Sequence, residues 1–364
     1  MRVLGIETSC DETAAAVVQD APDPDNRLLS NIVYDQIEAH RPYGGVVPEI
    51  AARAHVAKLP EAVRLAMDEA GLGFADLDGI AATAGPGLIG GLHVGVTLAK
   101  ALAGAHAKPF LAINHLEAHA LTPRLTGQVD FPFVLLLVSG GHCLLALAKG
   151  VGEYELLGTT IDDAIGEAFD KGARVLGLPY PGGPAMERAA KTGDPTAFDF
   201  PRPLKGRLGC DFSFSGLKAA IKRTVDGMNI EGDPSPHLVA DLAASYQQAI
   251  ADCLADRVNR CLQEVTKRSP ITALVVAGGV AANQALRDRL TASAQAHSVP
   301  LQAPPARLCT DNGAMVAWAG LERLALGLED RLDFAARPRW PLDELAQSTR
   351  FTAETKNKQR VSTG

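Results

Sequence analysis

Val3-Leu4-Gly5-Ile6-Glu7-Thr8-Ser9-Cys10-Asp11-Glu12-Thr13-Ala14-Ala15-Ala16-Val17-Val18 decides the fold class of this chain. Two apolar runs, 3–8 and 14–18, flank a polar turn, a pattern that predicts a β-hairpin with a polar tip. The pattern recurs as Phe133-Val134-Leu135-Leu136-Leu137-Val138, the turn Ser139-Gly140-Gly141-His142, then Cys143-Leu144-Leu145-Ala146-Leu147-Ala148. A unit that appears twice implies two related halves, each opening on a hairpin. Ile80-Ala81-Ala82-Thr83 and Ala273-Leu274-Val275-Val276-Ala277 read as short buried strands. Each runs into a glycine turn, 84–91 or 278–283, and then into a helix, expected over 92–105 and around 286–290. Strands that feed glycine turns and helices predict an α/β protein with largely internal sheets. Segments 241–264 and 313–327 carry helical apolar periodicity.

With 364 residues, 47% hydrophobic and 21% charged, the chain suits two domains of ordinary size or one large one, has ample sequence to bury a core and is not of disordered composition. Six scattered cysteines contain no Cys-x-x-Cys pair, which argues against a zinc ribbon and a secreted disulfide framework. An acidic residue at position 7 comes too early for a signal peptide, and no apolar run approaches a membrane span, so a cytoplasmic protein without membrane contact is expected. The net charge of −7 gives the whole molecule no attraction for nucleic acid. A basic run (Arg202, Lys205, Arg207, Lys218, Lys222, Arg223) is a candidate contact, though a solvated face of mixed charge is its simpler reading.

The chemistry concentrates at Asn114-His115-Leu116-Glu117-Ala118-His119. Histidines spaced i, i+4 on a helix project from one face with Cβ atoms about 5–6 Å apart, suited to one divalent ion. The distant element Cys309-Thr310-Asp311-Asn312-Gly313 offers Asp311 as a third ligand, and such a set keeps coordination positions open. A zincin protease would need glutamate directly after the first histidine. Glu117 stands two residues on, rotated by about 200° around the helix, so the protease reading is disfavoured. The phosphate-binding Gly-x-x-x-x-Gly-Lys motif is missing, and although Gly85-Pro86-Gly87-Leu88-Ile89-Gly90 has the Gly-x-Gly-x-x-Gly spacing, no acidic residue follows it about 20 positions on, so the dinucleotide reading is disfavoured. Three glycine turns, 85–91, 139–142 and 278–283, instead offer backbone N–H groups to a nucleotide or acyl-adenylate. Asp11, Glu12 and His142 are candidate acid/base groups, and Asp170 is a candidate partner for substrate hydroxyls.

These stretches, together with Tyr43-Gly44-Gly45-Val46-Val47-Pro48-Glu49, Gly166-Glu167-Ala168-Phe169-Asp170-Lys171, Tyr180-Pro181-Gly182-Gly183-Pro184 and Asp211-Phe212-Ser213-Phe214-Ser215-Gly216-Leu217-Lys218, resemble the bacterial TsaD/archaeal Kae1 family, in order, from residue 1 to about 345. The resemblance implies a duplicated actin-like/hexokinase-like (ASKHA) fold, with two lobes around a central nucleotide cleft. The lobes are expected at 1–125 plus 311–345 and at 126–310, followed by a polar tail at 346–364. It implies transfer of the threonylcarbamoyl group of L-threonylcarbamoyl-AMP to N6 of adenosine 37 in tRNAs reading ANN codons. Carried over by position, His115, His119 and Asp311 are the metal ligands. Leu137, Val138, Ser139, Gly140, Gly141, Asp170, Gly183 and Asn283 are the substrate-binding residues. The implied cofactor is one divalent ion per subunit, iron(II) by resemblance with zinc as the alternative. The implied partners are the tRNA anticodon loop, a smaller paralogous TsaB-like subunit and a small TsaE-like ATPase. Ala118 stands where many relatives carry glycine, and the tail matches no motif.

A regulatory nucleotide-binding scaffold, or a sugar or acetate kinase of the same fold, would share the glycine turns. Neither accounts for a His/His/Asp set, because such kinases use Mg²⁺ with carboxylates and water.

Overall fold

The computed structural model describes residues 1–228 and 234–345; the polar tail expected at 346–364 lies outside the described residues. In chain order the strands are β1 (Arg2–Glu7), β2 (Glu12–Gln19), β3 (Leu28–Asp35), β4 (Gly79–Gly85), β5 (Phe110–Asn114), β6 (Phe133–Val138), β7 (Cys143–Gly150), β8 (Glu153–Thr159), β9 (Leu274–Ala277) and β10 (Leu301–Gln302). The helices are α1 (Ile37–His40), α2 (Pro48–Ala70), α3 (Ile89–Ala105), α4 (His115–Thr126), α5 (Ile165–Val175), α6 (Gly182–Ala190), α7 (Ser215–Gly227), α8 (Pro236–Arg268), α9 (Gln284–Ala296) and α10 (Gly313–Ala325).

Two compact units form, one from residues 1–128, 149–154 and 310 onward, the other from 129–148 and 155–309. Each owns a five-stranded sheet, and the two strand orders, β3-β2-β1-β4-β5 and β8-β7-β6-β9-β10, trace the same path. In the first sheet β1 pairs antiparallel with β2, Leu4 opposite Val17, and parallel with β4. In the second, β6 pairs antiparallel with β7, Leu136 opposite Leu145, and parallel with β9. The two hairpins are therefore the central strands of two copies of one α/β topology. The inclusion of 149–154 in the first unit has no counterpart in the apolar pattern.

Burial explains the composition of these strands. β4 and β5 are buried throughout, and β1, β6 and β9 read as continuous apolar runs because both faces are covered. In the first unit α10 lies so close to β1 that a Cβ on Gly5 would sit 2.2 Å from the Ala317 nitrogen and 2.4 Å from the Gly313 carbonyl oxygen. In the second, α8 buries Leu242, Tyr246, Ile250, Leu254, Val258 and Leu262, a stripe at helical spacing. That helix runs longer than the expected 241–264. Pro236 opens it and the Ser235 hydroxyl caps it by accepting from the Leu238 N–H at 3.3 Å.

α3 begins at Ile89 rather than at the expected Leu92, so Gly90 and Gly91 are helical. Their low helix propensity is overridden by packing: a Cβ on Gly91 would lie 2.2 Å from the Thr8 carbonyl oxygen. No helix among the described residues is long and apolar enough to cross a membrane.

Candidate functional site

β5 ends on Asn114, whose side-chain oxygen accepts from the N–H groups of Leu116 at 2.9 Å and Glu117 at 3.3 Å. This cap starts α4 at His115 and puts His119 one turn further on the same face. The two rings lie 4.7 Å apart at 85°. Asp311 arrives immediately before α10, which Asn312 caps by accepting from the Met315 N–H at 3.0 Å. Asp311 Oδ1 stands 3.0 Å from His119 Nε2 and 3.5 Å from His115 Nε2. Among the described residues these three form a cluster whose ligand atoms all lie within 4.8 Å of one another. Ligand atoms held about 2.0–2.2 Å from one tetrahedral ion are separated by about 3.4 Å, so the donor set fits a divalent metal.

Behind the cluster, fully buried Glu7 ends β1. Its Oε2 is 3.1 Å from His115 Nδ1 and accepts from the Thr83 hydroxyl at 2.6 Å, while Oε1 accepts from the Ser9 N–H at 2.5 Å. Burial opposes the charge of both Glu7 and His115, but the charges and hydrogen bonds around them together outweigh it. The Glu7 carboxyl is held below its usual range by His115, and His115 is raised to about 9 by Asp311 first and then by Glu7. On the hairpin tip Glu12 is pushed well above the usual carboxylate range by burial, then by Asp311 and Asp11. Burial and the same acids also drive the Cys10 thiol up, which leaves it unsuited to act as a thiolate.

Glu117 takes no part in this cluster. Its buried carboxylate accepts from the Gly152 N–H at 2.7 Å and the Tyr154 hydroxyl at 3.3 Å, and it pairs with Arg323 at 3.4 Å.

In the glycine segment 85–91, expected to offer amides to an anion, two of the amides are already taken. The Leu88 N–H donates to the Ser9 carbonyl at 2.8 Å and the Gly87 N–H to the Pro338 carbonyl at 3.2 Å, so the protein's own backbone occupies them. These small residues let the β1–β2 tip approach closely.

In the second unit the tip 139–142 is a tight turn. The Ser139 N–H donates to the His142 carbonyl at 2.8 Å, and the His142 N–H donates to the Ser139 hydroxyl at 3.1 Å. The Gly166 N–H at the start of α5 donates to the Ser139 carbonyl at 3.2 Å, while Gly140 and Gly141 are exposed. Leu137 and Val138 are buried strand residues, so any ligand contact they make is through backbone. Asp170, on α5, accepts from the Gly182 N–H at 2.8 Å and also meets the Gly183 N–H, at the start of α6. Burial still leaves its carboxyl above the usual range. Asn283 caps α9 by accepting from the Leu286 N–H at 3.0 Å and donates to Gln247 at 2.8 Å. Two of the six residues of the basic run are paired with acids: Arg202 with Asp199 and Asp252, and Lys222 with Asp226. All six cysteines are free thiols.

Sequence reasoning missed Glu7, Thr83 and His55. His55 is buried, with Nδ1 2.8 Å from the Thr13 hydroxyl and Nε2 3.0 Å from the Cys10 carbonyl, so it ties α2 to the hairpin tip. Glu7 did carry a signal: an acid closes a strand that is otherwise apolar and central.

A family model described as "TsaD: tRNA N6-adenosine threonylcarbamoyltransferase" matches residues 27–318. A protein named tRNA N6-adenosine threonylcarbamoyltransferase from Paramagnetospirillum magneticum is 58% identical over 351 residues, covering 95% of this chain and 99% of that one. One of the same name from Brucella canis is 59% identical over 347 residues, covering 94% and 96%. The crystal structure of HypF from T. kodakarensis superposes on 90% of this chain and 48% of that longer one, with a TM-score of 0.58 at 18% identity, a likeness of fold alone. The fold is the duplicated actin-like/hexokinase-like one that the family resemblance implies, with the two hairpins at its centre. The chain belongs to the TsaD family, the tRNA N6-adenosine threonylcarbamoyltransferases, and is a transferase of tRNA modification.

Proposed function

We propose that the chain transfers the threonylcarbamoyl group from L-threonylcarbamoyl-AMP to N6 of adenosine 37 in tRNAs that read ANN codons. The C–N6 bond forms, the bond from the carbamoyl carbon to the phosphate oxygen breaks, AMP leaves and the amine loses one proton. The observation that carries this reading is the convergence of His115, His119 and Asp311 in a member of this transferase family. These residues would hold the ion, iron(II) or zinc. When bound, it supplies Lewis acidity and a template for acyl or phosphate oxygens.

The remaining work falls to the chain's own groups. The backbone at 137–141, with Asp170, Gly183 and Asn283, binds the adenylate part of the substrate. Asp11, Glu12 or His142 takes the proton released by the amine. The target base comes from a single-stranded anticodon loop, whose bases can be splayed into a site. The net charge of −7 argues that tRNA is gripped partly through a paralogous TsaB-like subunit and a TsaE-like ATPase, in the cytoplasm.

The test incubates the chain and its partners with labelled threonylcarbamoyl-AMP and unmodified tRNA. Label on tRNA is expected, and loss of both metal and transfer in a folded His115→Ala/His119→Ala variant. Metal retained at full stoichiometry in that variant rejects the site. Phosphorylation of a small acceptor by ATP would favour the kinase alternative instead.

A further inference from the structure

The structure assigns to Glu7 the role of positioning residue for His115: its carboxylate takes the Nδ1 side of the ring and aims Nε2 toward Asp311. This inference rests on the metal reading above. Glu7 is the last residue of β1 and is completely buried. Three elements converge on it: the tip through the Ser9 N–H, β4 through the Thr83 hydroxyl, and α4 through His115 Nδ1. An ionised carboxylate only accepts hydrogen bonds, so the nitrogen facing it carries the proton. The neutral ring then has its lone pair on Nε2, the atom 3.5 Å from Asp311 Oδ1. A metal-bound histidine held this way keeps both its tautomer and its orientation. Ser9 adds a hydroxyl 3.2 Å from the same Nδ1.

The isosteric change Glu7→Gln inverts this logic. The Ser9 N–H can only donate, so it claims the amide oxygen. The amide NH₂ then faces Thr83 and His115, and Nδ1 must accept. The ring proton moves to Nε2, where it obstructs a ligand bond. Thr83→Val supplies the control: it deletes a buried hydrogen bond to the same carboxylate but leaves the charge opposite His115.

The experiment titrates zinc(II) alone, in competition with a chromophoric chelator, into wild type, Glu7→Gln, Thr83→Val and His119→Ala, each checked for folding by circular dichroism. Wild type is expected to bind one equivalent and His119→Ala none. Glu7→Gln should bind about 10–100-fold more weakly, and Thr83→Val close to wild type. Nitrogen-15 spectra of zinc-loaded wild type should show His115 protonated at Nδ1 and bound through Nε2. That measurement decides the matter even if Glu7→Gln does not fold. Wild-type affinity in Glu7→Gln, equal losses in Glu7→Gln and Thr83→Val, or binding through Nδ1 overturns the role of Glu7 and leaves the metal site standing. No zinc bound by wild type overturns the metal site itself, and this role with it.

Discussion

Replacing Gly5 by alanine tests the link between the packing of the first unit and its chemistry. The added methyl would meet the Ala317 nitrogen at 2.2 Å, the Gly313 carbonyl oxygen at 2.4 Å and the Ala317 Cα at 2.7 Å. Unstrained heavy atoms approach to about 3.5 Å, so β1 and α10 must part by about 1 Å. All three obstacles are backbone, and no side-chain rotation relieves them. Overpacking of this kind costs about 3 kcal/mol, which at about 2–4 °C per kcal/mol lowers the melting temperature by about 6–12 °C. Gly313 opens the helix that follows Asp311, so the same shift carries Asp311 away from the histidines. A displacement of about 1 Å exceeds the roughly 0.5 Å tolerance of a preorganised site, so metal affinity falls as well. Differential scanning calorimetry and metal competition read the two effects. Gly45→Ala is the control, because nothing lies within 4 Å of its new Cβ; it should stay within about 0.5 kcal/mol of wild type. A Gly5→Ala protein that melts with wild type and binds metal equally refutes the reasoning.

Glu117→Ala removes the nearer carboxylate from the buried Arg323 guanidinium, leaving Asp330 at 3.9 Å, and should cost about 3 kcal/mol in chemical denaturation, yet leave metal stoichiometry unchanged; loss of metal from the folded variant would place Glu117 in the site after all. Asp162 accepts from the Ser213 and Ser215 hydroxyls and from the N–H groups of Phe214 and Ser215 at the start of α7. Slight burial raises its carboxyl, but these donors outweigh that and hold it below the usual value of 3.8. Its contribution is therefore present above about pH 4 and lost as pH falls through the depressed folded value. Asp162→Asn should cost about 1 kcal/mol at neutral pH and less in acid, seen in melting curves across pH. Because His115 titrates near 9 in the metal-free protein, a proton competes with the ion below that pH. Apparent metal affinity should rise by up to about tenfold per pH unit from 6 to 8, and a flat profile would remove His115 from the ligand set.

The site was partly legible before any coordinates. A spacing of four residues on a capped helix puts two imidazoles side by side whatever the tertiary structure, so His115 and His119 could be paired from sequence. Glu117 could likewise be set aside, since helical rotation alone turns it from their face. The glycine segment 85–91 was ambiguous, because a glycine that admits a ligand and one that admits a neighbouring strand look alike in sequence. Here the visitor is the β1–β2 tip, through Ser9 and Thr8. Glu7 went unnoticed because its meaning depends on which groups from β4 and α4 surround it.

The one-dimensional pattern by itself determined the two hairpins, the apolar strands beside them and the helical histidine pair. These depend on periodicities of two and 3.6 residues, which are local properties of the backbone. Only the tertiary structure decided that Asp311 meets His115 and His119, that Glu7 stands behind His115 with Thr83, and that Gly5 lies under α10. Those contacts join residues far apart in the chain, and their geometry is set by how sheet and helices pack, which no local pattern encodes.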